Sequence, residues 1–206
     1  MSFRSRALPA FALAAVVGLG ACTDNPTAPT SAAPSSAPVA SMAAPQPSVA
    51  KFEVDYMEET IDHHTAGVVM AQMCIDKAVH AELKALCQES LASQSMQIRM
   101  LQQWLRDWYG ISYTGTIQQS AAQDIRRLSA LSGAEFENEF LTEFSKHHLQ
   151  IIKLSEKAVR KVYHEELRTQ IAERIIQSQS RQVVQMQTWD CQWYNDCRQG
   201  LINQVS

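Results

Sequence analysis

A helical hairpin written twice is the feature that most narrows what this chain can fold into. A shift of 84 residues carries Glu59, His63, His64, His80, Glu82 and Leu83 onto Glu143, His147, His148, His164, Glu166 and Leu167. One extra residue in the second copy makes the shift 85, which carries Gln94, Trp104, Trp108 and Tyr109 onto Gln179, Trp189, Trp193 and Tyr194. All six histidines and all four tryptophans of the chain fall in these matched pairs. Coincidence does not pair them so completely; the chain is an internal duplication.

From Lys51 onward there is no proline and little glycine, and apolar residues recur at helical spacing. Met57, Ile61, His64, Val68, Ala71, Ile75 and Ala78 form one stripe, and Leu141, Ser145, His148, Ile152, Ser155, Val159 and Val162 repeat its register. Cys87, Leu91, Gln94, Ile98, Leu101, Leu105 and Trp108 form a further seam. The spacing predicts helices over residues 52–79, 82–109, 133–163 and 165–194, with short turns at His80 and His164. A short helix near 118–130 is expected in the linker from Gly110 to Ser132, and Ser132 suits the N-cap of the third long helix. Short turns make each copy an antiparallel hairpin, and a lone hairpin would leave its seam in water. The expected fold is all-α: a four-helix bundle of two duplicated helical hairpins. Repeat one covers 52–109 and repeat two 133–194, within a domain over 51–199.

Residues 1–21 stand outside that fold. Arg4 and Arg6 precede an apolar run from Ala7 to Leu19, of signal-peptide length and short for a membrane span. Leu19-Gly20-Ala21-Cys22 resembles the lipobox of bacterial lipoproteins, in which the cysteine is diacylated and becomes the mature N-terminus. The resemblance implies an exported chain anchored to a membrane through lipid on Cys22. Thr23, rather than Asp, after that cysteine implies the outer membrane, facing the periplasm. Residues 22–50 are mostly Ala, Pro, Ser and Thr, and all seven prolines lie at or before Pro47. Such a composition buries too little apolar surface to order itself and reads as a disordered tether. Losing Arg4 and Arg6 with the leader, and no acid, takes the formal charge from −3 to −5. A mildly acidic chain is a poor partner for nucleic acid and is compatible with a cation.

Four histidines are candidate metal ligands, because neutral imidazole binds copper and zinc. His64 and His148 fall in the apolar seams, while His63 and His147 fall about 100° away, on the flank. Glu59 and Glu143 stand four residues before the flanking pair and could orient those rings. The competing reading makes the seam histidines hydrogen-bonded core groups and the Glu–His pairs surface contacts. The thioethers of Met70, Met73, Met96 and Met100 are soft ligands suited to Cu(I). Helical position turns Met73, Met96 and Met100 outward, so a metal-binding patch and a partner interface are both open. His63 and Met70 are two turns apart, about 10 Å, and need another helix or molecule to share one ion.

Beyond Cys22 the cysteines are Cys74, Cys87, Cys191 and Cys197. Cys74 and Cys87 are equidistant from the first hairpin turn, so a disulfide is expected in an exported chain. Cys191 and Cys197 can bridge only if the last helix ends between them; thiolate metal ligation is the alternative. No catalytic constellation is visible. Di-iron bundles use Glu-x-x-His with inward glutamates, whereas the spacing here is Glu-x-x-x-His. There is also no nucleophile–base arrangement and no phosphate loop. The chain is therefore expected not to be an enzyme. The tryptophan pairs read as plugs at the bundle ends.

Several of these residues carry a family likeness. Ile61-Asp62-His63-His64, Met70-Ala71, Glu82-Leu83, Gln94 and Ile98 are among them. So is Leu131-Ser132-Gly133-Ala134-Glu135-Phe136 leading into His147-His148. Over about residues 52–194 the chain resembles the ferritin-like bacterial family known as domain of unknown function 305. The resemblance implies a ferritin-like four-helix bundle, commonly exported, some of whose members are implicated in copper binding through histidine and methionine. The chain departs from the family pattern in three places. Gln97 and Gln182 stand where an acidic residue is usual; the later family Met is Leu101 in the first copy and Met186 in the second; and Leu154 and Lys157 replace the counterparts of Met70 and Met73. The two halves need not hold equivalent sites. The expected function is an envelope lipoprotein that binds copper or a similar soft ion, for sequestration or transfer. Its partners would be the membrane, through the lipid, and the metal. The rival is a metal-free module that docks another envelope protein, or a second copy, through a Met-rich face.

Overall fold

A computed structural model of the protein describes residues 44–197. The expected signal segment 1–21, the acylation site Cys22, most of the 22–50 tether and the last two residues of the expected 51–199 domain lie outside that range. The described part is all-helical. α1 spans Pro47–Lys77, α2 Ala81–Tyr109, α3 Gln119–Ser129 and α4 Gly133–Val159. α5 covers 165–194: an opening turn Glu165–Leu167, a π-helical turn Arg168–Ala172 and a long stretch Glu173–Tyr194. Among the described residues no helix is long and apolar enough to cross a membrane.

The boundaries have local causes. α1 begins five residues before the expected position 52, inside the expected tether, because Pro47 occupies its first turn. There the missing N–H is no loss and the fixed φ suits a helix. Gly110 stops α2 in the left-handed region at φ 68°, its N–H bonding Arg106 O at 3.0 Å. Ser132 holds the N-cap position of α4, but its side chain makes no capping bond. The extra residue of the second copy falls between Leu167 and Gln179, and the π turn lies in that interval. A one-residue insertion in a helix is accommodated as a π-bulge, which keeps the helix beyond it in register.

Each long helix packs mainly on its hairpin partner, α1 on α2 and α4 on α5, and the hairpins meet chiefly through α1 and α4. Disulfides join Cys74 to Cys87 and Cys191 to Cys197, the second across the end of α5. One apolar cluster gathers Met70, Cys74, Leu83, Leu86, Phe136, Phe140, Phe144 and Met186 at one end of the bundle. The other gathers Tyr56, Met57, Ile61, Leu101, Leu105, Ile151, Ile171 and Ile175 at the opposite end. The duplication exchanges the two ends, Met57 answering to Leu141 and Tyr56 to Phe140.

Each end is closed by a buried carboxylate that reaches into the turn of the other hairpin. Glu53 Oε1 accepts the backbone N–H groups of Tyr163 and His164 at 2.7 and 2.8 Å, and its Oε2 accepts His164 Nδ1–H at 2.8 Å and the Tyr109 hydroxyl. Its twin Glu137 takes the N–H groups of Val79 and His80 at 2.6 and 2.7 Å, His80 Nδ1–H at 2.6 Å and the Tyr194 hydroxyl. α1 and α4 end before the expected 79 and 163, and the N–H groups of Val79, His80, Tyr163 and His164 point at carboxylates, not back along the helix. Trp108 stacks on His164 at 3.9 Å between centroids and Trp193 on His80 at 3.8 Å. The tryptophans thus cap the turn histidines of the opposite hairpin.

Candidate metal centre

Between the two apolar clusters lies a polar waist. His63 on α1 and His147 on α4 stack face to face, centroids 3.7 Å apart and planes 18° apart. They are twins of the duplication. Twins in mutual contact must straddle the pseudo-twofold axis, so the axis passes between these rings. Both residues do lie on the flank, but that flank is buried between the hairpins and is not a helix surface in water. The seams face inward within each hairpin, and the neighbouring flank is the surface through which α1 meets α4.

In three of the four histidines hydrogen bonding fixes which ring nitrogen keeps a lone pair. His63 Nε2–H donates to the carbonyl of His147 at 3.0 Å. His64 Nε2–H donates to Gln97 Oε1 at 2.8 Å and His148 Nε2–H to Gln182 Oε1 at 2.9 Å, a second twinned pair. In the neutral ring the other nitrogen is then an acceptor. Nδ1 of His63, His64 and His148 and Nε2 of His147 are all buried with no partner. So are Oε1 of Gln94 and of its twin Gln179. Native interiors rarely leave such groups unmatched.

Burial holds all four imidazoles neutral. It carries His64 down to about 4 against the bond it donates to Gln97, and His148 to about 3 against the bond it donates to Gln182. His63 and His147 lie well below the usual 6.5, from burial first and then from the neighbouring imidazoles. Neutral imidazole is the form that binds metal. Gly67 has no space for a side chain: an added Cβ would collide with Gln94 Oε1 and lie 3.0 Å from His147 Nε2. Unmatched acceptors thus converge where the backbone comes closest. Among the described residues no three His, Cys, Asp or Glu side chains enclose a single point, so a third ligand would have to be of another kind.

The sulfur atoms are not where the sequence put them. Outward-facing thioethers were expected, and only Met96, 46% exposed, is plainly so. Met73 and Met100 are half-buried against the two apolar clusters, and Met70 is a core residue, 2% exposed. The helices are wide enough in contact that stripes opposite the seam still touch neighbouring side chains. Met70 stands one turn beyond Gly67 on the same side of α1. Cys74, Cys87, Cys191 and Cys197 are taken up in disulfides, so their thiolates are not available to a metal. The carboxylates expected to orient the flanking histidines do not: Glu143 pairs with Arg127 and Lys146, and Glu59 lines a cavity.

Sequence reasoning missed Glu53, Glu137 and the role of Gln97 and Gln182. The repeat register contained the signal, since each is identical to its twin. Gln97 and Gln182 replace an acid of the family pattern, and the structure gives the consequence: an amide acceptor on each seam imidazole leaves it uncharged. Restoring the acid with Gln97→Glu is expected to raise the pKa of His64 by roughly 1–3 units through a direct ion pair. NMR titration of the ring protons would read this, and an unmoved His64 would contradict the observed contact.

The arrangement defines an all-helical bundle with a buried, neutral, histidine-rich waist. The sequence profile of Domain of unknown function (DUF305) matches residues 53–190, and the chain belongs to this family. Solved structures of CopM share the fold. The Cu(II)-bound form superposes with a TM-score of 0.63 at 24% identity, covering 69% of this chain and 97% of that one. The Cu(I)-bound form gives 0.61 at 25% identity over 69% and 97%. The form soaked with Ag gives 0.61 at 25% over 69% and 96%. No curated protein sequence matches the chain.

Proposed function

We propose that this protein binds a soft metal ion, Cu(I) or Ag(I), at the histidine waist, and does so without catalysis. The observation that carries the reading is the set of buried neutral imidazoles, each with one ring nitrogen left without a partner. Such nitrogens suit copper by charge and by ligand type. His63 and His147 would hold the ion, with Met70 as the adjacent thioether and His64 and His148 in support. His147 comes from α4, the second helix that His63 and Met70 require if they are to share an ion. CopM, solved with Cu(I) and with Ag, supports the choice of metal. The bundle is read as ferritin-like, and the protein as an exported lipoprotein held by Cys22 that sequesters or passes on its ion. A Met-rich docking face has less support, because Met96 alone among Met70, Met73, Met96 and Met100 is exposed.

A titration of the purified chain with Cu(I) against a competing chelator tests the reading. The wild type is expected to take up at least one ion per chain. His63→Gln with His147→Gln should weaken uptake by about 100-fold or more, since even supporting residues of metal sites are worth 10–100-fold. Changing Met73, Met96 and Met100 to Leu should leave the first ion bound. Equal uptake by the wild type and the double histidine variant would refute the site.

A further inference from the structure

We infer that the acidic cavity between α1 and α4 is the entrance by which a metal cation reaches the waist; this rests on the metal-binding reading above. The cavity measures about 640 Å³ and is walled by Asp55, Glu58, Glu59 and Asp62, with His63 and His147 also on its lining. No lysine or arginine lines it, and of its four carboxylates only Asp55 has a cationic partner among the described residues, the exposed Lys51 at 2.6 Å. A cleft of one sign with low-dielectric walls concentrates counter-ions and raises their capture rate.

Acidic residues alone would not make an entrance, and a second observation supplies the destination. His147 is 7% exposed, its ring borders the cavity, and its Nε2 has no partner. That nitrogen closes on Gly67 together with the unmatched Gln94 Oε1. One side chain therefore connects the acidic cavity to the cradle of unmatched acceptors.

The duplication provides an internal control. The twins of Asp55, Glu58, Glu59 and Asp62 are Glu139, Thr142, Glu143 and Lys146. On that side α3 lies over the helices, and Arg127 pairs with Glu139 at 2.9 Å and with Glu143 at 3.1 Å. Lys146 adds a bond to Glu143 at 2.8 Å. The equivalent mouth is thus neutralised and covered. On the first side the same linker holds only the rim: Asp62 accepts bonds from Tyr113, the Thr116 N–H and hydroxyl, and Gln118, at 2.7–2.9 Å. That arrangement keeps the carboxylate in place and leaves the cavity open. Of two mouths made equivalent by descent, one has been kept acidic.

The test is the rate of Cu(I) capture, followed by stopped flow as a coloured complex with an uncharged chelator gives up its metal to the full chain. Glu58→Gln with Glu59→Gln lies on half-buried and exposed positions, and circular dichroism would verify the fold. Capture by this variant is expected to be about tenfold slower at low salt, the lower end of such steering effects. The difference should disappear at high salt, with the release rate unchanged. Gln150→Lys, which puts a cation on the same wall, should slow capture as well. Equal capture rates at low salt for wild type and both variants would overturn the entrance while leaving the metal site standing. A changed release rate with unchanged capture would make Glu58 and Glu59 ligands, and overturn it too. No uptake by the wild type would remove both proposals together.

Discussion

Acidification is expected to unfold this bundle at mild pH, because its centre holds histidines that cannot take up a proton in place. In the unfolded chain an imidazole titrates near 6.5, whereas in the bundle His64 titrates at about 4 and His148 at about 3. Below 6.5 the unfolded state therefore binds more protons than the folded one, and stability falls as pH falls. The contribution is fully present above 6.5 and is lost progressively down to the folded values. His64 and His148 alone cost about 2.5 kcal/mol by pH 5.5 and about 4 kcal/mol by pH 5. His63 and His147 act in the same direction. Since small domains are stable by about 5–15 kcal/mol, urea unfolding at pH 7.5, 6.5 and 5.5 should show the midpoint falling steeply. Replacing His64 and His148 by Gln should flatten that profile. A midpoint that does not move between pH 7.5 and 5.5 would mean the rings are not buried as described. A bound metal would hold the imidazoles unprotonated and shift the acid transition to lower pH.

Removing either buried carboxylate should damage the fold more than removing any surface charge. Glu53→Ala leaves two turn N–H groups, the His164 ring and the Tyr109 hydroxyl without their acceptor. Breaking a buried network of this kind costs about 3–5 kcal/mol, or roughly 6–20 °C in Tm for a domain of this size. Glu137→Ala should cost the same through Val79, His80 and Tyr194. The two clamps are separated by about 36 Å of helix α1, so their effects should add, and the double variant is expected not to fold at 37 °C. Thermal melts of both single variants decide the matter; a loss under about 1 kcal/mol would show that water replaces the carboxylate. Burial on its own would raise the pKa of Glu53, but the bonds from Tyr109 and His164 outweigh it and hold the carboxyl below 4.5. Its stabilisation is therefore present above that value and fails only below it, so its loss begins about two pH units lower than that of the histidines, which starts at 6.5.

Much of the fold was legible because it depends on patterns that sequence displays directly. Seams such as Met57, Ile61, His64 and Ala71 mark which helix face is buried, and such seams in two related hairpins leave few ways to hide them all. The π turn in α5 was announced by a register that changes from 84 to 85. The start of α1 at Pro47 was not, since a proline in a low-complexity stretch reads as a breaker unless it happens to sit in a first turn.

The site divided differently. The sequence by itself determined which residues come in pairs: His63 with His147, His64 with His148, Gln97 with Gln182, Glu53 with Glu137. It also determined that the imidazoles would lie on or beside the seams. Only the tertiary structure decided that the pseudo-twofold axis runs between His63 and His147, that Met70 turns inward while Met96 stays exposed, and that Arg127 of α3 pairs with Glu139 and Glu143. The reason is physical. Periodicity reports the direction a side chain takes from its own helix, whereas contact across the axis depends on how far apart two hairpins settle and how they are turned. That choice is made by the packing of both cores at once.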